Sequence, residues 1–268
     1  MKKLLTFILV GLVFFGCSDE KNTSQDGTAE KVVLKVGATP VPHAEILEFI
    51  KPDLEKEGID LQIVQFTDYV TPNVSLNDGS LDANYHQHKP FLDALKKDKG
   101  LNLESIASIH IEPLGFYSHK FKDIDSLPQG ATIAIPNDPS NGGRALLLLD
   151  SKGIIKLADT NNLNATELDI VENPKSIKIK PVEAALLPRT LDDVDGAVIN
   201  GNYALQAGLK SSDALFLEGS QSPYANILVV QSTRVNDENL QKLKNALQSQ
   251  KVKDFIQQHY QGEIVPVF

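Results

Sequence analysis

The stretch VVLKVGATPVPHAEILEFIKPDLEKEGIDLQIVQF, residues 32–66, decides the fold class. Val32–Gly37 and Leu61–Phe66 are apolar runs that predict strands, and His43–Glu57 between them has apolar residues at helical spacing. Pro52 lies inside the helical pattern and predicts a break or a kink there. The order strand, helix, strand predicts an α/β fold with a mostly parallel sheet.

The alternation continues along the chain and predicts two α/β units. Further strands are predicted over residues 82–85, 103–111, 131–136, 176–180, 196–200, 227–231 and 264–268. Further helices are predicted over residues 89–99, 140–152, 182–191, 201–207, 237–248 and 252–257. Two units of about 100 residues predict two lobes, with lobe 1 made of residues 32–115 and 225–268 and lobe 2 of residues 116–224. The two crossings, near residues 112–117 and 222–227, predict a hinge beside a ligand cleft.

Cys17 is the only cysteine in the chain, and it follows a short apolar leader. Lys2, Lys3, the apolar run Leu4–Phe15 and Gly16 are typical of a bacterial secretory signal, and a cysteine after the small residue resembles a lipobox. The apolar run is shorter than the ~20 residues that span a bilayer. We therefore expect a signal peptide over residues 1–16, a lipid anchor on Cys17 and a flexible polar tether over residues 17–31.

The charge of the chain excludes one class of partner. The formal net charge is −9, and loss of the expected leader, which has two lysines and no acidic residue, leaves −11. An acidic surface argues against binding to nucleic acid or to anionic lipid headgroups. We expect a water-soluble body of one large domain or two lobes, attached to the cell envelope through the lipid and facing the periplasm or the cell exterior.

Polar and aromatic residues that follow the predicted strands are the candidate ligand-binding groups. They are Thr39, His43, Phe66, Tyr69, Tyr85, His86, His88, Asn137, Asn141, Arg144, Asn200, Asn202, Tyr224 and Asn226.

Arg144 is the sharpest candidate, because it lies in the first turns of a helix that Asp138 caps and Pro139 begins. A helix N-terminus and a guanidinium fork together suit a carboxylate in bidentate fashion. The small residues before Arg144 are poor helix formers, which favours room for a ligand over the alternative of a surface arginine.

His86 and His88 are two residues apart, which places both on one face of a strand. A zinc site with His43 as third ligand is an alternative, but no acidic cluster accompanies them, so a hydrogen bond to a polar ligand is favoured and no metal is predicted. Motifs for an enzyme are missing: the sequence has no G-x-S-x-G, H-E-x-x-H or P-loop. We expect a binding protein without a cofactor, with an anchored enzyme and a structural surface lipoprotein as alternatives.

Six segments resemble the methionine-binding lipoproteins of bacterial ABC importers, the NlpA/MetQ family. They are VGATPVPHAEIL (36–47), VQFTDYVTPN (64–73), LDANYHQHKPFLD (81–93), IPNDPSNGGRAL (135–146), DDVDGAVINGNYA (192–204) and SPYANILVV (222–230). The resemblance implies a two-lobed periplasmic-binding-protein fold, type II-like, with a ligand cleft between the lobes and a two-crossing hinge. It further implies that the cleft closes on L-methionine and that the protein delivers this ligand to a membrane permease with a cytoplasmic ATPase.

The resemblance also implies roles for single residues. Arg144 is implied to bind the ligand carboxylate, and Asn200 and Asn226 to bind its amino and carboxylate groups. The residues implied to line the thioether pocket are Phe66, Tyr69, Tyr85 and His88. His86 stands where the family most often has an aromatic residue such as Phe, which leaves D-methionine, a methionine-containing dipeptide and another small amino acid open as ligands.

Overall fold

The computed structural model describes residues 31–219 and 222–268 of the 268-residue chain. The expected signal peptide, Cys17 and the tether up to residue 30 lie outside the described residues, so those expectations stay predictions. Within the described part, no helix combines the length and the apolar composition that crossing a membrane requires.

Strands and helices alternate along the described chain. The strands are β1 (Val32–Ala38), β2 (Ile59–Gln65), β3 (Ala83–His88), β4 (Leu103–Ile111), β5 (Gly115–Tyr117), β6 (Thr132–Pro136), β7 (Lys156–Leu157), β8 (Ile170–Glu172), β9 (Lys178–Val182), β10 (Gly196–Ile199), β11 (Phe216–Leu217), β12 (Asn226–Gln231) and β13 (Val265–Pro266). The α-helices are α1 (Glu45–Lys56), α2 (Thr71–Asn77), α3 (Lys89–Lys99), α4 (Pro139–Ser151), α5 (Gly201–Gln206), α6 (Glu238–Leu247) and α7 (Gln250–Tyr260).

The strands form two main sheets. The first has six strands in the order β13-β4-β12-β3-β1-β2, and the second has five in the order β11-β5-β10-β6-β9. The strands divide between the sheets at residues 111–115 and 217–226. These positions agree with the two expected crossings, while the lobe boundaries themselves stay a prediction.

Both sheets are mixed, so the expectation of a mostly parallel sheet is wrong. In the first sheet β1 is parallel to β2 and β3, but β12 runs antiparallel between β3 and β4. In the second, β6 is parallel to β9 and β10, while β5 is antiparallel to β10 and β11. The physical reason in the first sheet is that the returning chain inserts in the middle, a long-range pairing that local sequence patterns do not carry.

Apolar residues alternate in the central strands and bury both faces of each sheet. In β12, Leu228 and Val230 pack towards α1, α6 and α7, whereas Ile227 and Val229 pack towards the side chains of α2 and α3. In β10, Val198 packs with residues of α4 and Ile199 with residues of α5. Each lobe is therefore a sheet with helices on both faces. This packing holds in place the strand ends that face the other lobe.

Helix α1 corrects the prediction for Pro52, since it runs through this residue to Lys56. The apolar side chains Ile46, Leu47, Ile50 and Leu54 are each at most 1% exposed. Their packing outweighs the one backbone hydrogen bond that a proline removes. The predicted helix over 182–191 is instead a 3₁₀ helix, Ala184–Thr190, and α2 was not predicted.

Candidate functional site

A buried cavity lies where elements of the two sheets meet. Its empty volume is about 330 Å³, which includes some space open to solvent. The residues that line it are Tyr69, His86, Gln87, His88, Phe91, Glu112, Asn141, Arg144, Asn200, Gly201, Asn202 and Asn226.

The two lobes contact each other directly around this cavity. His88 Nε2 lies 3.0 Å from Asn141 Oδ1, and the Tyr69 hydroxyl donates to Asn202 Oδ1 at 2.5 Å. The Tyr203 hydroxyl donates to the carbonyl of Thr67 at 2.9 Å. Each bond joins the first-sheet side of the cavity to the second-sheet side, so the structure has the lobes closed on one another.

A bulge in β3 places His86 at the cavity. Leu228 and Ile227 are consecutive in β12, but they pair with Tyr85 and Gln87, which leaves His86 without a partner in that ladder. Bulges re-aim side chains beside binding sites. The prediction that β3 ends at Tyr85 is wrong, because pairing with β12 extends it to His88, and both histidines lie within the strand and not after it.

Helix α4 begins with the predicted cap, but the glycines in its first turns are required for a reason other than the predicted one. Asp138 accepts a hydrogen bond from the backbone N–H of Asn141, as expected of an N-cap. A Cβ at Gly143 would lie 2.5 Å from the carbonyl oxygen of Leu163, and a Cβ at Gly142 would lie 3.0 Å from the carbonyl oxygen of Pro136. Close packing against neighbouring backbone therefore requires small residues here, so the expectation that they make room for a ligand is not needed.

Arg144 lines the cavity, but its bidentate edge is already occupied. Its Nε donates to Glu218 Oε1 at 2.9 Å, its Nη2 donates to Glu218 Oε2, and Nη2 also donates to the carbonyl of Glu112 at 2.9 Å. The guanidinium carbon lies 4.3 Å from the ring centre of Tyr224. Among the described residues, Nη1 bonds to none. A ligand carboxylate would therefore meet one edge nitrogen, Nη1, and not the two-pronged grip that the sequence suggested.

Glu112 places a buried carboxylate in the cavity wall. Its Oε1 accepts from His110 Nε2 at 2.8 Å and lies 3.1 Å from His43 Nε2. Burial raises the pKa of Glu112, but His43 and the hydrogen bond from His110 outweigh this, so the pKa is held below its ordinary value. Burial lowers the pKa of His43 to about 4, so this ring is neutral at pH 7. The wall therefore carries a negative charge beside the neutral ring of His43.

Both histidines are themselves held by hydroxyl groups on their other ring nitrogen. Thr39 Oγ1 lies 2.7 Å from His43 Nδ1, and the Tyr85 hydroxyl lies 2.5 Å from His110 Nδ1. Because His110 Nε2 donates to Glu112 and His43 Nε2 donates to the amide oxygen of Asn226, the Nδ1 atoms accept from these hydroxyls. The chain of bonds fixes the tautomer of each ring and the orientation of the carboxylate.

Four asparagines present amide groups to the cavity. Asn200 Nδ2 donates to Asn141 Oδ1 at 2.8 Å, and Asn226 Oδ1 accepts from His43 Nε2 at 3.0 Å. Among the described residues, Asn200 Oδ1 and Asn202 Nδ2 are buried without a hydrogen-bond partner. Buried polar groups are almost always paired, so one free acceptor and one free donor in a cavity wall indicate a polar ligand.

The other end of the cavity is aromatic. The ring of Tyr69 packs edge-on against Phe91 at 5.7 Å and lies 6.2 Å from the ring of His86. His88 is held between the backbone N–H of Phe91, on Nδ1, and Asn141, on Nε2. Burial, and to a lesser extent the charge of Arg144, lowers the pKa of His88 to about 3, so its ring is neutral.

Eight of the fourteen candidate ligand-binding residues line this cavity; they are Tyr69, His86, His88, Asn141, Arg144, Asn200, Asn202 and Asn226. Tyr85 does not, because it is fully buried in the first-sheet core with its hydroxyl on His110. Phe66 does not either, since it packs against the apolar cluster that contains Leu81. Thr39, His43, Asn137 and Tyr224 are also not among its lining residues.

Sequence reasoning missed four lining residues, which are Gln87, Phe91, Glu112 and Gly201. A signal for Glu112 was present, since His110 and Glu112 are two residues apart at the end of a strand and share a face. The histidine–acid cluster of the described residues is His43, His110 and Glu112. The zinc alternative with His86 and His88 is therefore wrong, because these rings bond to Tyr69 and Asn141 and not to His43.

Known proteins resemble the chain over nearly its whole length. A sequence model described as NlpA lipoprotein matches residues 34–268. A relative from Pasteurella multocida named "Probable D-methionine-binding lipoprotein MetQ" is 41% identical over 97% of this chain and 96% of its own.

Solved structures share the fold. A nutrient binding protein from Burkholderia cenocepacia bound to methionine has a TM-score of 0.85 and 47% identity, covering 88% of this chain and 100% of its own. A periplasmic substrate-binding protein of an ABC transporter from Coxiella burnetii has a TM-score of 0.84 and 42% identity, covering 87% and 100%. The fold is that of the two-lobed periplasmic binding proteins, as expected, and the chain belongs to the NlpA lipoprotein family.

Proposed function

We propose that the protein is the substrate-binding component of an ABC importer and that the cavity captures a zwitterionic amino acid. The observation that carries the proposal is the pairing of opposite charges in one buried wall. Glu112 and the free acceptor Asn200 Oδ1 suit an ammonium group, and Arg144 Nη1 with the free donor Asn202 Nδ2 suits a carboxylate. Buried charges are tolerated where a partner compensates them. Glu218 already compensates Arg144, so the ammonium group of the ligand supplies the partner for Glu112.

Methionine is the ligand that the aromatic end supports. Tyr69, Phe91 and the neutral ring of His88 surround space for an unbranched apolar side chain. Sulfur contacts with aromatic rings contribute about 0.3–1.5 kcal/mol, which favours a thioether over a plain alkyl chain. Relatives of the chain are named for methionine or were solved with it. We infer L-methionine as ligand, with D-methionine, a methionine-containing dipeptide or another small amino acid as alternatives that the same cavity leaves open.

Closure of the lobes explains capture and release. The open protein binds the ligand on one lobe, and closure adds the contacts of the other, including the bonds from His88 to Asn141 and from Tyr69 to Asn202. The ligand shifts this equilibrium by its greater affinity for the closed form. The closed protein then delivers the ligand to a membrane permease driven by an ATPase, and lipid on Cys17 keeps the protein at the envelope membrane. This role requires no catalytic step, and we expect no enzyme activity.

The test is identification of the ligand that the protein carries. Full-length lipoprotein, purified in detergent without added amino acids, is analysed by native mass spectrometry, and the released ligand is identified. Thermal unfolding is then followed with L-methionine, D-methionine and a methionine dipeptide. At 100 times Kd, binding stabilises by ~2.7 kcal/mol, and at 2–4 °C per kcal/mol this raises Tm by about 5–10 °C.

The controls separate binding at this cavity from general effects. Arg144→Ala removes the shift, whereas Arg189→Ala, at an exposed arginine, keeps it. No shift with any of the three ligands and no co-purified amino acid would contradict the proposal. A shift with the dipeptide alone would assign a different ligand to the same cavity.

A further inference from the structure

His86 lines the cavity, and only one of its two ring nitrogens has a hydrogen-bond partner among the described residues. Its side chain is 3% exposed, and its Nε2 lies 3.1 Å from the carbonyl oxygen of Tyr69. A carbonyl oxygen only accepts, so Nε2 carries the ring proton and Nδ1 is a bare acceptor. Nδ1 is buried and has no hydrogen-bond partner among residues 31–219 and 222–268.

The surroundings keep this acceptor free. Burial lowers the pKa of His86 to about 3, so Nδ1 takes up no proton at neutral pH. Its one side-chain hydrogen bond goes to Tyr69, whose ring packs on Phe91, which places His86 at the aromatic end of the cavity. Leaving a buried acceptor unpaired is unfavourable, so a donor on the ligand is the partner that the cavity lacks.

We propose that His86 is a specificity-determining residue, whose Nδ1 accepts a hydrogen bond from a donor at the end of the ligand side chain. The site then admits amino acids of methionine length whose side chain ends in an O–H or N–H group. A hydrocarbon ring in place of His86 disfavours such ligands. This inference rests on the proposed function, because it concerns the side chain of an amino acid bound in the same cavity. Methionine, which has no side-chain donor, leaves Nδ1 unpaired.

A matched pair of ligands isolates the effect. Norleucine and 5-hydroxynorvaline have unbranched side chains of equal length and differ in a terminal methyl against a terminal hydroxyl group. Both have the same ammonium and carboxylate groups, so the contacts of Glu112 and Arg144 cancel in their comparison. Methionine and glutamine form a second pair of similar length, without and with a terminal donor.

The experiment measures Kd by calorimetry for these four ligands with the full-length protein and with His86→Phe. We expect His86→Phe to weaken 5-hydroxynorvaline relative to norleucine by about tenfold, the effect of one hydrogen bond, and glutamine relative to methionine in the same direction. The control His119→Phe, at an exposed histidine, leaves both ratios unchanged.

A second measurement needs no variant. In ¹⁵N-histidine-labelled protein, the His86 Nδ1 resonance moves upfield on addition of 5-hydroxynorvaline and not of norleucine, because only the hydroxyl donates to it. The inference would be overturned if the Kd ratio of each ligand pair in His86→Phe stays within twofold of the ratio in the unaltered protein. It would also be overturned if the Nδ1 resonance responds equally to both ligands. Either result leaves methionine binding intact. Failure of the unaltered protein to bind any of the four ligands would instead contradict the proposed function.

Discussion

Replacing Glu112 by Gln tests whether the buried carboxylate binds a ligand ammonium group. The substitution keeps the size of the side chain and one carbonyl oxygen that can accept from His110. It removes the negative charge that faces the cavity. The perturbation therefore acts on charge while it leaves the shape of the wall in place.

The magnitude follows from the kind of bond that is lost. A hydrogen bond to a charged group contributes about 1.5–3 kcal/mol, so Kd for methionine should rise by about 10- to 150-fold. Stability should also fall, because the folded protein holds the pKa of Glu112 below its ordinary value and so favours the carboxylate. We expect a loss of about 1–3 kcal/mol in the free energy of unfolding.

The assay compares methionine with 4-(methylthio)butanoic acid, which lacks only the ammonium group. Calorimetry gives Kd for both ligands with the unaltered protein and with Glu112→Gln, and the double difference isolates the coupling between Glu112 and the ammonium. Urea unfolding of each protein reports the change in stability separately. Glu238→Gln, at an exposed glutamate, is the matched control.

One result would refute the reasoning. If Glu112→Gln weakens both ligands by the same factor, the carboxylate supports the cavity through His43 and His110 and does not contact the ammonium. A loss of methionine affinity that is absent for the deaminated ligand is the outcome that the geometry predicts.

Three further predictions concern the arginine, a packed glycine and the buried histidines. Arg144→Ala should abolish tight methionine binding in calorimetry, since the ligand carboxylate and Glu218 both lose a charged partner; an unchanged Kd would remove Arg144 from the site. Gly143→Ala should lower the free energy of unfolding by about 1–3 kcal/mol in urea, because its Cβ meets the Leu163 carbonyl at 2.5 Å, whereas Gly219→Ala, in open space, should change it little. Stability should fall as pH drops from about 6.5 towards 4, since the unfolded chain protonates histidines that burial keeps neutral in the folded protein, at about 1.4 kcal/mol per pH unit for each. The groups responsible have pKa values lowered to about 4 or about 3; they are His43, His86 and His88. A stability that is flat in this range would contradict their neutrality.

Elements with strong local signals were predictable from the sequence. Helix α3 and strand β4 have the predicted bounds, and α4 begins at the predicted Asp138 cap. Caps, prolines at the first turn and apolar periodicity act within a few residues, so the sequence shows them directly. The polar residues near strand ends identified most of the cavity for the same reason.

Long-range pairing accounts for what was not predictable. The insertion of β12 between β3 and β4 made the sheet mixed and extended β3 to His88. The bulge at His86 forms because β3 has one residue more than β12 between two successive paired positions. The sequence of either strand by itself does not reveal this difference. Tyr85 was expected in the pocket, but its position in the strand directs its side chain towards the core. The contact between Glu218 and Arg144 is also a tertiary contact without a local sequence signal.

A crystal structure of the full-length protein with L-methionine tests the central claim most directly. The account predicts that the ligand ammonium lies within hydrogen-bond distance of the Glu112 carboxylate and of Asn200 Oδ1. It further predicts that the ligand carboxylate contacts Arg144 Nη1 and Asn202 Nδ2, with the thioether between Tyr69 and Phe91. A ligand bound outside this cavity, or one whose ammonium group faces away from Glu112, would contradict it.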